Sequence, residues 1–365
     1  MIEKGRISTG QMVILLYPTV IATAILLVPG ITGKFAGNDM WLSPIWASLA
    51  GCITILIMAQ LHNRFPRQTI IQYSEEIIGK IPGKLIGFII LFFFFHSNGL
   101  VLREYGEFVV GNFLPTTPLV VVIGSMIFVS GLAVRGGIEV MARSAQVFVP
   151  IVLFLFILIV ILLIPDLEPA NLLPFFEKGL IPSLKGAIVP TTWFLQLFAI
   201  TFILPVLKKK EGGMKWGMIT VFLIMVTLVL SNLFTMLLFG KLTPTFTYPI
   251  MEAARYISIA DFIQHLESIV MAIWVSGTFI KISVFYYVIA VGTAQLLNLQ
   301  DYRPIVFPIG GLLAVMGLWT APNLQQIQHF LITTMPFYAV IVQIILPLLL
   351  LIAAVIFKKN TKKIN

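Results

Sequence analysis

The sequence predicts an all-α integral membrane protein. Its expected fold is ten transmembrane helices in a 5+5 inverted repeat, with helices 1 and 6 discontinuous. Three observations carry this expectation. The 365-residue chain is 59% hydrophobic and 11% charged, with a mean hydropathy of +1.01. A soluble fold of that length cannot hide so much apolar surface, whereas the bilayer core is itself an apolar solvent. The basic residues segregate to alternate loops, and prolines interrupt the first and sixth apolar runs.

The apolar runs lie at about 11–35, 41–61, 85–110, 117–134, 139–164, 184–207, 216–239, 264–296, 304–320 and 333–357. Each is long enough for a core about 30 Å thick, the ninth being the shortest. Residues 1–10 are polar, and the run after them is long and lacks a small-residue cleavage site, so no cleavable signal peptide is expected. The whole of 1–365 is expected to form one membrane domain. Five spans are an odd number, so a second set of five begins on the opposite membrane face. The halves 11–164 and 184–357 would then be related by inversion.

The net charge is +9, but its placement argues against nucleic acid as a partner. Of the 24 Lys and Arg, 17 fall on the side of the N-terminus: Lys4, Arg6, Arg64, Arg67, Lys80, Lys84, Arg135, Arg143, Lys208, Lys209, Lys210, Lys215, Arg303, Lys358, Lys359, Lys362 and Lys363. Lys34, Lys178, Lys185, Lys241 and Arg255 fall opposite, and Arg103 and Lys281 are intramembrane. The bias places both termini in the cytoplasm. Cys52 is the single cysteine, and the four His are scattered, so neither a disulfide within the chain nor a metal cluster is expected. Gly310-Gly311 lies in an apolar span and reads as helix packing. With no nucleophile–base pair in a suitable context, the chain is read as neither an enzyme nor a cofactor carrier.

Span one carries Pro18 and Pro29-Gly30; span six carries Pro190 followed by Thr191, Thr192 and Trp193. Proline removes a backbone donor, and freed carbonyls inside a membrane are tolerated where protein or a water-filled cavity satisfies them. Paired interruptions in the first helix of each half point to a binding site between them. Among the loops, 69–80 has an isoleucine face and reads as an amphipathic helix on the cytoplasmic surface. The stretches 241–262 and 166–185 are candidates to cap the opposite side.

Span three holds His96, Gly99, Arg103, Gly106 and Glu107 at helical spacing. Arg103 and Glu107 are spaced to pair. Glu104 lies at the margin of that face without a partner in its own turn, which makes it a candidate proton carrier. Span eight holds Lys281 near its middle, on a face with Trp274, Gly277 and Thr278. Charge at such depth costs about 2.5–3.5 kcal/mol on insertion scales, so Lys281 reads as functional.

Several segments together resemble one family. They are Arg103-Glu104-Tyr105 with Glu107, Leu114-Pro115, Thr117-Pro118, Gly136-Gly137-Ile138-Glu139, Arg143 and Pro150. Further along come Asn171-Leu172-Leu173-Pro174, Gly179, Pro244-Thr245-Phe246, Glu267, Trp274, Phe279-Ile280-Lys281, Asp301-Tyr302-Arg303-Pro304 and Pro308. In this order and spacing the chain resembles the B-subunit family of bacterial spore germinant receptors, the spore permease branch of the amino acid–polyamine–organocation (APC) superfamily.

The resemblance implies an APC/LeuT-like fold that senses a small-molecule germinant, of amino-acid class, in the inner spore membrane, a bacterial cytoplasmic membrane. It implies germinant receptor A and C subunits as partners. The expected ligand site comprises Thr23, Ile25, Pro29, Pro190, Thr191, Trp193 and Lys281. The ion-pair and proton candidates are Arg103, Glu104, Glu107 and Lys281. The first helix departs from the wider superfamily. Where relatives have a glycine-rich break, this chain has Ala22-Thr23-Ala24-Ile25-Leu26-Leu27-Val28-Pro29-Gly30. Two further readings stand beside the sensor: a proton-coupled amino-acid permease, and a passive ion or water pathway.

Overall fold

The computed structural model describes residues 2–208, 212–257 and 266–359. Its helices are α1 Thr9–Ala36, α2 Ser43–Arg64, α3 Ile70–Ile78, α4 Lys80–Asn112, α5 Leu119–Gly136, α6 Ile138–Leu162, α7 Ile181–Leu195, α8 Ile200–Ile203, α9 Gly213–Phe239, α10 Pro249–Tyr256, α11 Glu267–Leu296, α12 Val306–Trp319, α13 Leu324–Thr333, α14 Met335–Val340 and α15 Leu346–Ile356.

Local chemistry sets several boundaries. Ser8 caps α1 with Gln11 in a reciprocal pair, and α1 ends at Gly37 with φ +56. Thr69 and Gln72 cap α3 in the same way. Asn323 opens α13 by accepting from Gln326 N at 2.9 Å.

Eight helical stretches among the described residues are long and apolar enough to cross a membrane, or nine when a bent pair counts as one span. The first stretch, Thr9–Arg64, is 56 residues and holds two of the expected spans, 11–35 and 41–61, joined through the 3-10 turn Gly37–Leu42. At about 1.5 Å per residue it is long enough for two crossings. The bent pair is Arg303–Trp319 with Leu324–Thr333, turned by 94°. The expected ninth span, 304–320, is one arm of that pair. The other arm, α13, lies in a stretch expected to be a loop.

The expected discontinuities differ from the structure. α1 stays α-helical from Thr9 to Ala36 through both Pro18 and Pro29. A proline removes one bond of the ladder, but unwinding requires several residues to leave helical geometry together, and residues 22–28 contain no glycine. Around Pro29 the Thr32 hydroxyl donates back to Val28 O at 2.8 Å. In the sixth run α7 also continues past Pro190. The winding changes later, at the 3-10 turn Gln196–Ala199, followed by the single turn α8 and a second 3-10 turn Leu204–Val206.

α1 is the axis of the bundle, with every residue from Met12 to Gly33 buried except Ile14. It packs against α7, α9, α11 and α6, while α2 packs against α7 and α9. Gly277 of α11 lies where an added Cβ would meet Ala22 Cβ at 3.1 Å, which is how closely α11 approaches α1. The peripheral helices expose large apolar side chains: Phe128, Val129 and Leu132 on α5, Phe154, Ile157 and Ile161 on α6, and Leu312 and Val315 on α12. Such faces suit lipid.

One end of the bundle gathers the N-terminal segment. Ile7 N donates to Val206 O at 3.1 Å, and Lys208 N donates to Ile7 O at 2.9 Å. Glu3 accepts from Tyr302 Oη at 2.8 Å and from Ile138 N at 3.3 Å. α3 sits at this end too, more deeply seated than a surface helix: Ile70, Ile71 and Ser74 are fully buried, and the Thr69 hydroxyl bonds Gln295 Oε1. At the other end Asp39 accepts from Phe176 N at 3.1 Å, Asn171 donates to Leu237 O at 3.0 Å, and Arg255 donates to Asn112 Oδ1 at 3.1 Å. Of the expected capping stretch 241–262, residues 258–262 lie outside the described residues, as do Lys209, Lys210, Lys362 and Lys363.

Candidate functional site

The site is built around one hydroxyl. Thr23 projects from the middle of α1, and its Oγ1 accepts two hydrogen bonds. Lys281 Nζ on α11 donates at 2.7 Å, and Trp193 Nε1 on α7 donates at 2.7 Å. Three helices that are distant in sequence are thereby tied at one atom. Lys281 is wholly buried and its ammonium also lies 5.8 Å from the Phe285 ring centroid, a cation–π distance.

These groups border a chamber of about 20 Å³, room for about one water molecule. Its lining adds Ser97, Leu100, Val101 and Glu104 from α4, Thr192 from α7, Gln196 from the turn after it, Ile327 and Leu331 from α13, and Met335 from α14. Three lining residues hold buried polar atoms without a protein partner: Ser97 Oγ, Glu104 Oε1 and Gln196 Oε1. Leaving such an atom unsatisfied costs about 1–3 kcal/mol, so their convergence on one chamber marks it as a place for a polar guest. Glu104 and Lys281 attract one another across it without a direct ion pair.

Four of the sequence-derived candidates meet here: Thr23, Glu104, Trp193 and Lys281. Thr191 does not line the chamber. Its hydroxyl folds back to Ala187 O at 2.9 Å, and the next residue, Thr192, takes the lining position. Ile25, Pro29 and Pro190 are buried in helix packing away from the lining.

Arg103 and Glu107 pair at 2.7 Å. The guanidinium reaches further, with Nη1 donating to Leu318 O at 3.1 Å and Nη2 to Pro322 O at 2.6 Å. Arg103 therefore fastens the elbow between α12 and α13. The glycines on its face serve close packing: a Cβ on Gly99 would come 2.5 Å from Met316 Cγ, and one on Gly106 would come 2.5 Å from Leu119 Cδ1.

A second cavity, of about 710 Å³, lies beside α13 and is lined by His96, Leu100, Thr320, Asn323, Gln326, His329 and Thr333 among others. Leu100 borders both cavities. α13 thus turns Ile327 and Leu331 to the chamber and Gln326, His329 and Thr333 to the larger cavity. Sequence reasoning missed this helix. Its signals were the Asn323 cap and the i, i+4 pair Ile327/Leu331. Among the described residues no group of three or more His, Cys, Asp or Glu could hold a metal ion.

Comparison with known proteins is consistent across most of the chain. The family model described as "Spore germination protein" matches residues 6–325. Spore germination protein KB of Bacillus subtilis (strain 168) is 26% identical over 99% of this chain and 98% of its own length. Spore germination protein YndE of the same organism is 24% identical over 98% and 99%.

Among solved structures, MHP1, a nucleobase-cation-symport-1 family transporter with bromovinylhydantoin bound, superposes with a TM-score of 0.66 at 15% identity, covering 92% of this chain and 76% of that one. MhsT in complex with L-phenylalanine gives a TM-score of 0.62 at 11% identity, covering 96% and 99%. The chain belongs to the spore permease family of spore germination proteins, on a LeuT/APC-like transporter fold.

Proposed function

We propose that the chain is the nutrient-sensing membrane subunit of a spore germination receptor, binding a small germinant of amino-acid class at the Thr23–Trp193–Lys281 chamber. Family membership makes it a germination protein rather than an enzyme. In this reading the ten helices form two inverted repeats, 11–164 and 184–357. Both termini face the cytoplasm across the inner spore membrane, and A and C subunits read the state of the chamber. The observation that carries the reading is the wholly buried Lys281 held by Thr23, with Glu104 lining the same chamber and polar atoms without a protein partner beside both. An ammonium and a carboxyl lining one chamber suit a zwitterionic guest.

The chamber as it stands is closed. Ligand pockets run to about 300–1,000 Å³, so a guest of amino-acid size requires α13 to swing away and merge the chamber with the cavity behind it. Binding then shifts the balance between closed and open states by its differential affinity for them. The test is Lys281→Met in spores and in purified protein. The variant is expected to insert and fold but to lose the germination response. A fully responsive Lys281→Met spore overturns the assignment.

A second reading, a proton-coupled permease, draws on the unpartnered Glu104 Oε1 beside the same chamber. Proteoliposomes under a pH gradient separate the two. A permease accumulates labelled amino acid and loses accumulation with Glu104→Gln, whereas a sensor binds without accumulating.

A further inference from the structure

We propose that a pocket at the N-terminal end of the bundle, away from the chamber, binds a phosphate-bearing anion. The pocket holds about 370 Å³ and is lined by Arg6, His62, Arg67, Lys208 and the apolar Leu204, Pro205 and Leu207. No carboxylate lines it among the described residues. The Arg67 guanidinium and the Lys208 ammonium, with Arg6 and His62 beside them over an apolar floor, bring together the charge and donor types that suit a phosphate oxyanion. Basic pockets between transmembrane helices bind anionic lipid headgroups for this reason.

The basic groups come from three separate segments, and the backbone of each is held in place. Arg6 donates through Nη1 to Pro205 O at 2.8 Å, and its segment is held by the isolated Ile7–Leu207 bridge. Arg67 holds φ +65, a left-handed conformation that non-glycine residues avoid. Its turn is anchored by Phe65, which is buried and stacked on Tyr73 at 5.5 Å. Lys208 follows the end of the sixth run, where Leu204 also meets Gly213 of α9. Cations at the end of α2 would be explained by the helix dipole alone. That explanation leaves out Arg6 and Lys208, which arrive on other segments. A bound phosphate would tie the N-terminal segment and the ends of the second and sixth runs together, holding this end of the bundle shut.

The ligand chemistry has two sources, a phospholipid headgroup and soluble phosphate. The test follows the unfolding temperature of the full chain in detergent against added phosphatidylglycerol, phosphatidylcholine or inorganic phosphate. A saturable rise is expected with phosphatidylglycerol or with phosphate, and none with phosphatidylcholine. A rise with phosphatidylglycerol alone identifies the lipid, and a rise with phosphate identifies the free anion.

Arg67→Gln and Lys208→Gln, both exposed side chains, are each expected to raise the half-saturating concentration about fivefold. The exposed pair Lys80→Gln/Lys358→Gln should leave it unchanged. The proposal falls if no anionic probe shifts the wild type or if phosphatidylcholine shifts it equally. It also falls if the pocket variants bind as the wild type does, or if the distant pair weakens binding as much as they do.

Discussion

Thr23→Val tests the centre of the site, because it removes one oxygen and little volume. In the wild type that oxygen accepts from a buried ammonium and a buried indole, both at 2.7 Å. The variant leaves two donors without their acceptor. At about 1–3 kcal/mol for each stranded donor, and more for a charged one, the expected loss is about 3–6 kcal/mol. Lys281→Met behaves differently. It removes the buried ammonium together with its need for the Thr23 acceptor, but leaves Glu104 without its opposite charge and so carries a cost of its own.

The two substitutions should therefore not add. With Lys281→Met already present, Thr23→Val strands only the indole, and its cost should fall to about 1–3 kcal/mol. Thr23→Ser retains the oxygen and should keep most of the stability. Equilibrium unfolding of the four proteins of the cycle in mixed detergent micelles measures the coupling. Equal cost for Thr23→Val with and without the lysine, within about 0.5 kcal/mol, would refute the shared hydroxyl.

Arg103→Gln should cost about 2–4 kcal/mol, since Arg103 is nearly buried and its loss frees Glu107 and two backbone carbonyls at once. Hydrogen exchange should rise in α13 first, and unchanged protection there would exclude Arg103 as the fastener of the elbow. Gly30→Ala would drive a Cβ to 2.5 Å from Phe246 O, backbone that cannot rotate aside, for a loss of about 1–3 kcal/mol. Gly111→Ala, with open space at its Cβ, should be neutral or gain up to about 1 kcal/mol, and thermal unfolding of the pair separates crowding from helix propensity.

The helical segments were legible because a membrane helix announces itself through the length of its apolar run, and Lys281 because it is a lone charge among uncharged neighbours at that depth. Glu104 was found for the same reason, and the Arg103–Glu107 pair from its i, i+4 spacing. The lining of the chamber was not legible. Which of Thr191 and Thr192 faces inward depends on the rotation of α7, and consecutive threonines in an apolar run carry no phase. Proline was over-read as a helix breaker: both Pro29 and Pro190 sit in continuous helix, where packing on every side holds the turn together. α13 escaped notice because it is ten residues long and polar on one face, which reads as a connecting loop when spans are sought by hydropathy.

That short helix sets the energy scale of the proposed sensing. Ile327 and Leu331 are almost wholly buried where they roof the chamber. Exposing both to water costs about 1.5–3 kcal/mol each, so opening by this route is uphill by about 3–6 kcal/mol before other contacts are counted. Converting a two-state balance from 1:99 to 99:1 takes about 5.5 kcal/mol of differential affinity. The two quantities are of the same size. A guest that satisfies Glu104, Lys281 and the stranded Ser97 and Gln196 oxygens, while offering Ile327 and Leu331 a new surface to close on, recovers the cost of opening and keeps the remainder as signal. A guest that only fills space leaves the polar atoms unsatisfied, so less of its binding remains to shift the balance. On this account selectivity for a polar nutrient follows from the polar atoms that line the chamber.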